Sequence, residues 1–394
     1  MPDSVPTPGS LPVLERLIAF PTVSAQSNLA LIDYAEGVLR GTGFEVARIA
    51  DPTAPKAGLV ARLGPEGPGG ILLSAHSDVV PVEGQNWTRA PFRLSQQGNR
   101  LFGRGTTDMK GFLAATLALA SKAAGAPLRA PLMMVISYDE EVGCKGIRQI
   151  MPTLGAVGWQ PDLCIVGEPT EMRPVPGHKG KVVFHARCRG EAGHSADAPD
   201  FVNALHLAAD VITALRLMQQ EYARDGASDP TFAVPYSTVH AGVMRGGRIL
   251  NIVPEEAVIE FELRYLPKDN PAVFKARLQK RVEAVLRGYP DTAGIDIEEV
   301  NAYPGLDISR NHSAMKLAAA LAGHAPGQKV GFGTEAGFFA EAGIPTVVCG
   351  PGSMAAQGHK PDEYLETGQL LACEQMLDRV LAHLRKDQAQ PEIR

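Results

Sequence analysis

Ile71-Leu72-Leu73-Ser74-Ala75-His76-Ser77-Asp78 is an apolar run of strand length that ends on a histidine and an aspartate two residues apart. Successive residues of a strand face opposite sides, so His76 and Asp78 share one face of its carboxyl end. Apolar, β-rich runs recur at 58–63, 132–138 and 163–166, with an amphipathic helical pattern at 27–40 and another helix at 111–124 between them. This alternation predicts an α/β domain with a mixed, largely parallel, buried central sheet flanked by helices. Sheets of that kind place their sites at the carboxyl ends of the strands.

Outward from that core the pattern changes at about residue 177. A strand at 179–189, a long helix at 202–222, strands at 236–243 and 257–266, a helix at 272–286 and a strand at 295–301 follow in the order β-α-β-β-α-β. That order predicts a ferredoxin-like α+β domain. The first style then resumes with a helix at 313–322, a strand at 345–349 and a helix at 367–385. The expected organisation is a catalytic domain made of 1–177 and 302–394, interrupted by an inserted domain at 178–301. A chain of 394 residues is long enough for two such cores.

Bulk composition narrows the function. With 38 Lys and Arg against 43 Asp and Glu, and no basic run interleaved with aromatics, nucleic acid is not an expected partner. The amino-terminal segment lacks a basic stretch followed by an unbroken apolar one, and no run approaches eighteen uncharged apolar residues. A cytoplasmic protein with no membrane partner is expected. Cys144, Cys164, Cys188, Cys349 and Cys373 are odd in number and never spaced CxxC, which argues against a disulfide framework or a thiolate metal site.

The chemistry-bearing residues recur at similar places. His76 with Asp78 reads either as a metal ligand with the carboxylate that orients it or as a strand-end hydrogen-bonded pair. In the glycine-rich loop Gly103-Arg104-Gly105-Thr106-Thr107-Asp108-Met109-Lys110-Gly111, Asp108 alone reads as a helix N-cap. Asp139-Glu140-Glu141 follows the 132–138 strand, and Glu168 ends the 163–166 strand in the same setting. Three adjacent acids on a turn are ordinarily a solvated patch, but at the end of a central strand their repulsion requires cations to offset it. His359, in the glycine-rich loop after the 345–349 strand, reads alone as a surface histidine. Recurrence of acids and histidines toward one edge of the sheet points jointly to a metal site. A sulfur-free set suits zinc, cobalt or manganese, and the number of carboxylates suggests more than one cation.

Taken in order, His76-Ser77-Asp78, Gly105-Thr106-Thr107-Asp108-Met109-Lys110-Gly111, Asp139-Glu140-Glu141, Gly167-Glu168-Pro169-Thr170, Gly193-His194-Ser195 and Gly358-His359 resemble the acetylornithine deacetylase and succinyl-diaminopimelate desuccinylase family of dinuclear zinc hydrolases, which also includes aminoacylases and carboxypeptidases. The resemblance covers nearly the whole chain. It implies two divalent metal ions per subunit, with His76 and Glu168 on one, Glu141 and His359 on the other, and Asp108 bridging. It further implies that Asp78 orients His76, that Glu140 is the general base, and that the inserted domain is a lid through which two copies dimerise. His194 would then reach the partner's active site to stabilise an oxyanion, with a strand-end histidine as its plain alternative.

Asn251 and Arg264 match lid positions that contact substrate in relatives. A solvated strand arginine remains open for the latter. The loop Gly331-Phe332-Gly333-Thr334-Glu335-Ala336 resembles the deacetylase version, in which Thr334 and Glu335 line the substrate site. Glu335 would meet a cationic side chain such as that of ornithine, or else be a carboxylate favoured at a helix start. The implied reaction is hydrolysis of N-acetyl-L-ornithine to L-ornithine and acetate, a step of arginine biosynthesis. Desuccinylase, aminoacylase or dipeptidase action on the same centre is the alternative, and a metal-stabilised scaffold is the reading from outside enzymology.

Overall fold

The computed structural model describes residues 7–385. The chain runs through helices α1 (Leu11–Ile18) and α2 (Leu29–Gly41), strands β1 (Glu45–Ala50), β2 (Ala57–Leu63) and β3 (Ile71–His76), and short strands β4 (Ser95–Gln97) and β5 (Arg100–Phe102). Helix α3 (Gly111–Ala123), β6 (Leu132–Ser137), α4 (Lys145–Ala156), β7 (Leu163–Pro169) and the short β8 (Gly177–His178) follow. Next come β9 (Gly180–Arg189), α5 (Ala204–Asp225), β10 (Thr238–Gly246), β11 (Glu256–Tyr265), α6 (Pro271–Leu286) and β12 (Gly294–Tyr303). The chain closes with β13 (Leu306–Asp307), α7 (Ser313–Ala322), α8 (Ala336–Glu341), β14 (Thr346–Gly350), β15 (Tyr364–Glu366) and α9 (Thr367–Arg385).

Two compact units result. One contains the chain up to Gly177, Asp307–Gln328 and the chain from Thr334 onward; the other contains His178–Leu306 and Lys329–Gly333. The second unit thus extends past residue 301 and takes in a short return segment that carries no composition signal of its own.

In the first unit a six-stranded sheet has the order β1-β2-β6-β3-β7-β14. Strands β6, β3, β7 and β14 are mutually parallel, while β1 and β2 are antiparallel and make the sheet mixed. Every residue of β3, β6, β7 and β14 is buried, as expected of parallel strands covered on both faces. Helix α3 contacts β3 and β7 and packs with α1, α2 and α9, while α4 contacts β2 and β6. The sequence of α3, GFLAATLALASKA, is apolar around most of its circumference, so it is a core helix and not an amphipathic one. All four parallel strands deliver their carboxyl ends to one edge.

The second unit is a four-stranded antiparallel sheet, β10-β11-β9-β12, with α5 and α6 packed against its strands. Strand β9 alternates buried and less buried residues, the mark of a sheet with one face in the core. Phe184 stacks on Phe261 at 5.2 Å between ring centres and meets Phe274 of α6 at 5.7 Å. Both helices start on asparagine caps: Asn203 accepts from Leu205 N at 2.9 Å, and Asn270 accepts from Ala272 N at 2.9 Å with Pro271 in the first turn. Among the described residues, no helix is long and apolar enough to cross a membrane.

One glycine decides how closely α3 lies on the sheet. A Cβ on Gly167 of β7 would fall 2.0 Å from the ring of Phe112, which is itself fully buried. Gly167→Ala is therefore expected to overpack the core and lower unfolding stability by about 1–3 kcal/mol. Denaturant titration of the metal-free protein measures it, and an unchanged midpoint would show that helix and strand can separate freely.

Candidate metal centre

Each ligand candidate reaches the sheet edge by its own route. His76 ends β3, Glu168 lies near the end of β7, Glu140 and Glu141 follow β6, and His359 sits in the loop after β14. Asp108 comes from an irregular turn, Thr106–Lys110, just before α3. It is no N-cap: Lys110 occupies the cap position of α3, and Asp108 has non-helical angles (φ −120°, ψ 94°). Its two oxygens point in different directions. Oδ1 is 3.1 Å from His76 Nε2, and Oδ2 is 3.0 Å from His359 Nε2.

Two clusters able to hold a metal ion meet at this carboxylate. His76, Asp108 and Glu168 form the first, and Asp108, Glu141 and His359 form the second, with the donor atoms of each within 4.8 Å of one another. His76 Nε2 is also 3.6 Å from Glu168 Oε1, and His359 Nε2 is 3.0 Å from Glu141 Oε2. The first cluster is fully buried, whereas the His359 side chain is about half exposed (48%). His359 (φ 59°) and Asp139 (φ 53°) both hold the left-handed backbone region that non-glycine residues rarely adopt.

Asp78 binds the centre together from beneath. His76 Nδ1 lies 3.0 Å from the Asp78 carbonyl and 3.4 Å from its Oδ1. The same carboxylate accepts from Glu140 N at 3.1 Å, Glu141 N at 3.3 Å and Ser24 Oγ at 2.7 Å. Asp78 thus meets the imidazole most closely through its carbonyl and holds the 140–141 turn through its carboxylate. Lys56, buried, pairs with Asp139 and also donates to the Ser24 carbonyl. Ser24 and Lys56 escape a reading of motifs because their partners are distant in sequence. Lys56 immediately precedes β2 and carries no motif of its own.

The electrostatics test whether the donors suit cations. Burial, reinforced by Glu141, Asp108 and Glu335 against the pull of His76, pushes the Glu140 carboxyl well above its ordinary value. Burial and then Asp108 do the same to Glu168, and raise Glu141 to about 7. Hydrogen bonds to Asp108 and Glu141 raise His359 to about 10. Hydrogen bonds from His359 and His76 hold Asp108 low against its burial. Glu141 Oε1 is buried without a hydrogen-bond partner. Acids whose ionised forms are disfavoured first by burial and then by one another, with an orphaned oxygen among them, fit divalent cations that would offset their charge.

The remaining candidates divide between the units. Thr334 and Glu335 are buried in the first unit. Glu335 stands at the start of α8, where a carboxylate favoured by the helix dipole would lie, but its side chain makes no cap bond; Thr334 Oγ1 accepts from Ala336 N at 3.0 Å instead. Burial holds the Glu335 carboxyl up at about 7. His194, Asn251 and Arg264 lie in the second unit. His194 is exposed, and its Nδ1 accepts from Ala196 N at 3.1 Å. Beside it Asn251 O accepts from Ser195 N at 3.0 Å. Arg264 lies on β11, partly exposed, with its Nε 2.7 Å from Glu262 Oε1.

This geometry can be set against known proteins. A family model described as peptidase family M20/M25/M40 matches residues 72–383. The chain belongs to that family. It is similar to the acetylornithine deacetylase of Klebsiella pneumoniae (strain 342), 34% identical over 95% of this chain and 98% of the relative. It is also similar to that of Shigella sonnei (strain Ss046), 33% identical over the same shares. Among solved structures, an M20 family metallo-carboxypeptidase from Sulfolobus solfataricus is similar in fold, with a TM-score of 0.77 at 20% identity over 95% of this chain and 98% of that one. The family and these relatives make the chain a hydrolase acting on amides.

If Asp108 joins the two clusters, Asp108→Ala should release both metal equivalents, read by elemental analysis after desalting. A variant that keeps two equivalents would refute the shared carboxylate.

Proposed function

We propose that the chain is a two-metal N-acyl amino acid amidohydrolase that converts N-acetyl-L-ornithine and water to L-ornithine and acetate, a step of arginine biosynthesis. The observation that carries this reading is the pair of clusters sharing Asp108, with Glu140, partly buried, beside them but in neither. A purely structural metal site has no use for such an extra carboxylate. His76, Asp108 and Glu168 would hold one ion, and Asp108, Glu141 and His359 the other. Two divalent ions, zinc above all, with cobalt or manganese as alternatives, would acidify water and polarise the acyl carbonyl.

The chain's own groups supply the rest. Glu140 takes a proton as water adds to the acyl carbon, and returns it to the nitrogen as the C–N bond breaks, so that the amine leaves neutral. Asp78, through its bonds to Glu140 N and His76, keeps base and imidazole in fixed relation. Arg264 offers a planar fork to the substrate carboxylate, with Asn251 as a second contact. The curated relatives named acetylornithine deacetylase support the ornithine substrate. Glu335 supports it in charge alone, since its carboxylate is buried.

We also propose a homodimer formed through the second unit, in which His194 serves the partner's site and stabilises the developing oxyanion. Leu250 is fully exposed (101%), with Ile249 and Ile252 also exposed around Asn251. Such an apolar tip beside a functional histidine suits an interface.

The direct test is amine release from N-acetyl-L-ornithine, N-succinyl-diaminopimelate and a set of N-acetyl amino acids, with and without chelator. Chelator-sensitive turnover favouring acetylornithine in kcat/KM is expected. Preference for the succinyl substrate would change the substrate assignment, and inactivity on the whole panel would overturn the reading. Glu140→Gln should keep both ions and lose about 10²–10⁴ in kcat; an unchanged kcat sinks the base assignment. Mixing inactive His194→Ala with inactive Glu140→Gln subunits should restore activity, whereas silence in verified heterodimers contradicts a site shared between copies.

A further inference from the structure

The two clusters are carried by segments far apart in the chain, and a buried carboxylate belonging to neither lies between those segments. Glu363 is 1% exposed. Its Oε2 accepts from Arg104 Nη1 at 2.7 Å and from Gly105 N at 3.0 Å, while Oε1 accepts from Thr107 N at 2.8 Å and Asp108 N at 3.1 Å. Four bonds fill the acceptor sites of a carboxylate. Three of them are backbone N–H groups of the turn that presents Asp108, where Gly105 adopts φ 85°. Two further bonds tighten the same seam: Gly103 N donates to the Glu363 carbonyl at 2.9 Å, and the Thr107 hydroxyl donates to the Tyr364 carbonyl at 2.7 Å.

The network does not stop at Arg104. Its guanidinium lies 5.0 Å over the Trp87 ring, and its Nη2 donates to Gln85 Oε1. Gln85 in turn donates through Nε2 to the carbonyl of His359 at 3.0 Å. A continuous chain of contacts thus begins at the backbone nitrogen of Asp108 and ends at the backbone oxygen of His359.

We infer that Glu363 is a positioning residue of the metal centre, which fixes the spacing between the Asp108 carboxylate and the His359 imidazole and so sets the affinity of the cluster those two share with Glu141. The inference rests on the two-metal reading above. Ligand distances tolerate only a few tenths of an ångström, and loss of outer partners of metal ligands lowers affinity about 10–100-fold. The other cluster draws His76 and Glu168 from β3 and β7, whose pairing in the sheet does not depend on Glu363.

The test is a cobalt titration of metal-free protein followed by calorimetry and by the visible absorption of the bound ion. Wild type should take up two equivalents. Glu363→Gln keeps an oxygen for the Thr107 and Asp108 N–H groups but turns an amide toward Arg104 and Gly105. It should weaken the second, His359-containing site about 10–100-fold and the first site less. Two constants at wild-type values, or two weakened alike, would overturn the inference while leaving the two-metal reading intact. A wild-type protein that takes up fewer than two equivalents would overturn that reading and this inference with it. If Glu363→Gln does not fold, Gln85→Ala decides: its side chain is only half buried, and a smaller loss confined to the second site supports the role, whereas unchanged constants reject it.

Discussion

Asp108 turns one carboxylate oxygen toward His76 and the other toward His359, and around it the chain gathers the buried Glu168, the Glu141 side chain and the partly buried Glu140, with Asp78 below. Like charges at such spacing disfavour one another's ionised forms, and removal from water adds to the cost. The two imidazoles offset part of that repulsion, Asp108 being held low while Glu140 and Glu168 are pushed high. A fold keeps such a group together only when the surrounding backbone is fixed strongly enough to resist its dispersal.

The fixing comes from several directions. Parallel pairing of β6, β3, β7 and β14, buried on both faces, sets the edge at which His76, the 139–141 turn and Glu168 emerge. Below that edge Asp78 ties His76 to the 140–141 backbone and to Ser24. Glu363 ties the Asp108 turn to the loop that bears His359. Lys110, buried two residues after Asp108, donates to the Leu17 and Phe20 carbonyls and anchors the same turn to the end of α1. Asp108, Glu140 and Glu141 are therefore held by neighbours that belong to neither cluster, while Glu168 is placed by the pairing of β7 in the sheet.

Much of this was legible in the sequence wherever a local period decides the outcome. Strand alternation puts His76 and Asp78 on one face, and the continuous apolar runs before Glu140 and Glu168 mark central strands. The β-α-β-β-α-β order of the second unit is likewise written in its periods. Asp108 was ambiguous because a loop aspartate before a helix is usually a cap, and only the observed backbone angles remove that reading. Arg264 was ambiguous because its partner Glu262 lies on the same strand two residues away, a spacing compatible with solvent exposure or with a held side chain. Glu363 carried no signal: its bonds to Thr107 and Asp108 span more than 250 residues, and Lys360-Pro361-Asp362-Glu363 looks like any polar loop. The segment Lys329–Gly333 joins the second unit for the same reason, its placement being decided by tertiary contact and not by composition.

The central claim is that one carboxylate serves two ions. A crystal structure of the zinc-loaded protein, with anomalous differences recorded on both sides of the zinc edge, addresses it directly. The account predicts two peaks flanking Asp108, one beside His76 and Glu168 and the other beside Glu141 and His359. A single peak, or two peaks of which either lies away from Asp108, would contradict it.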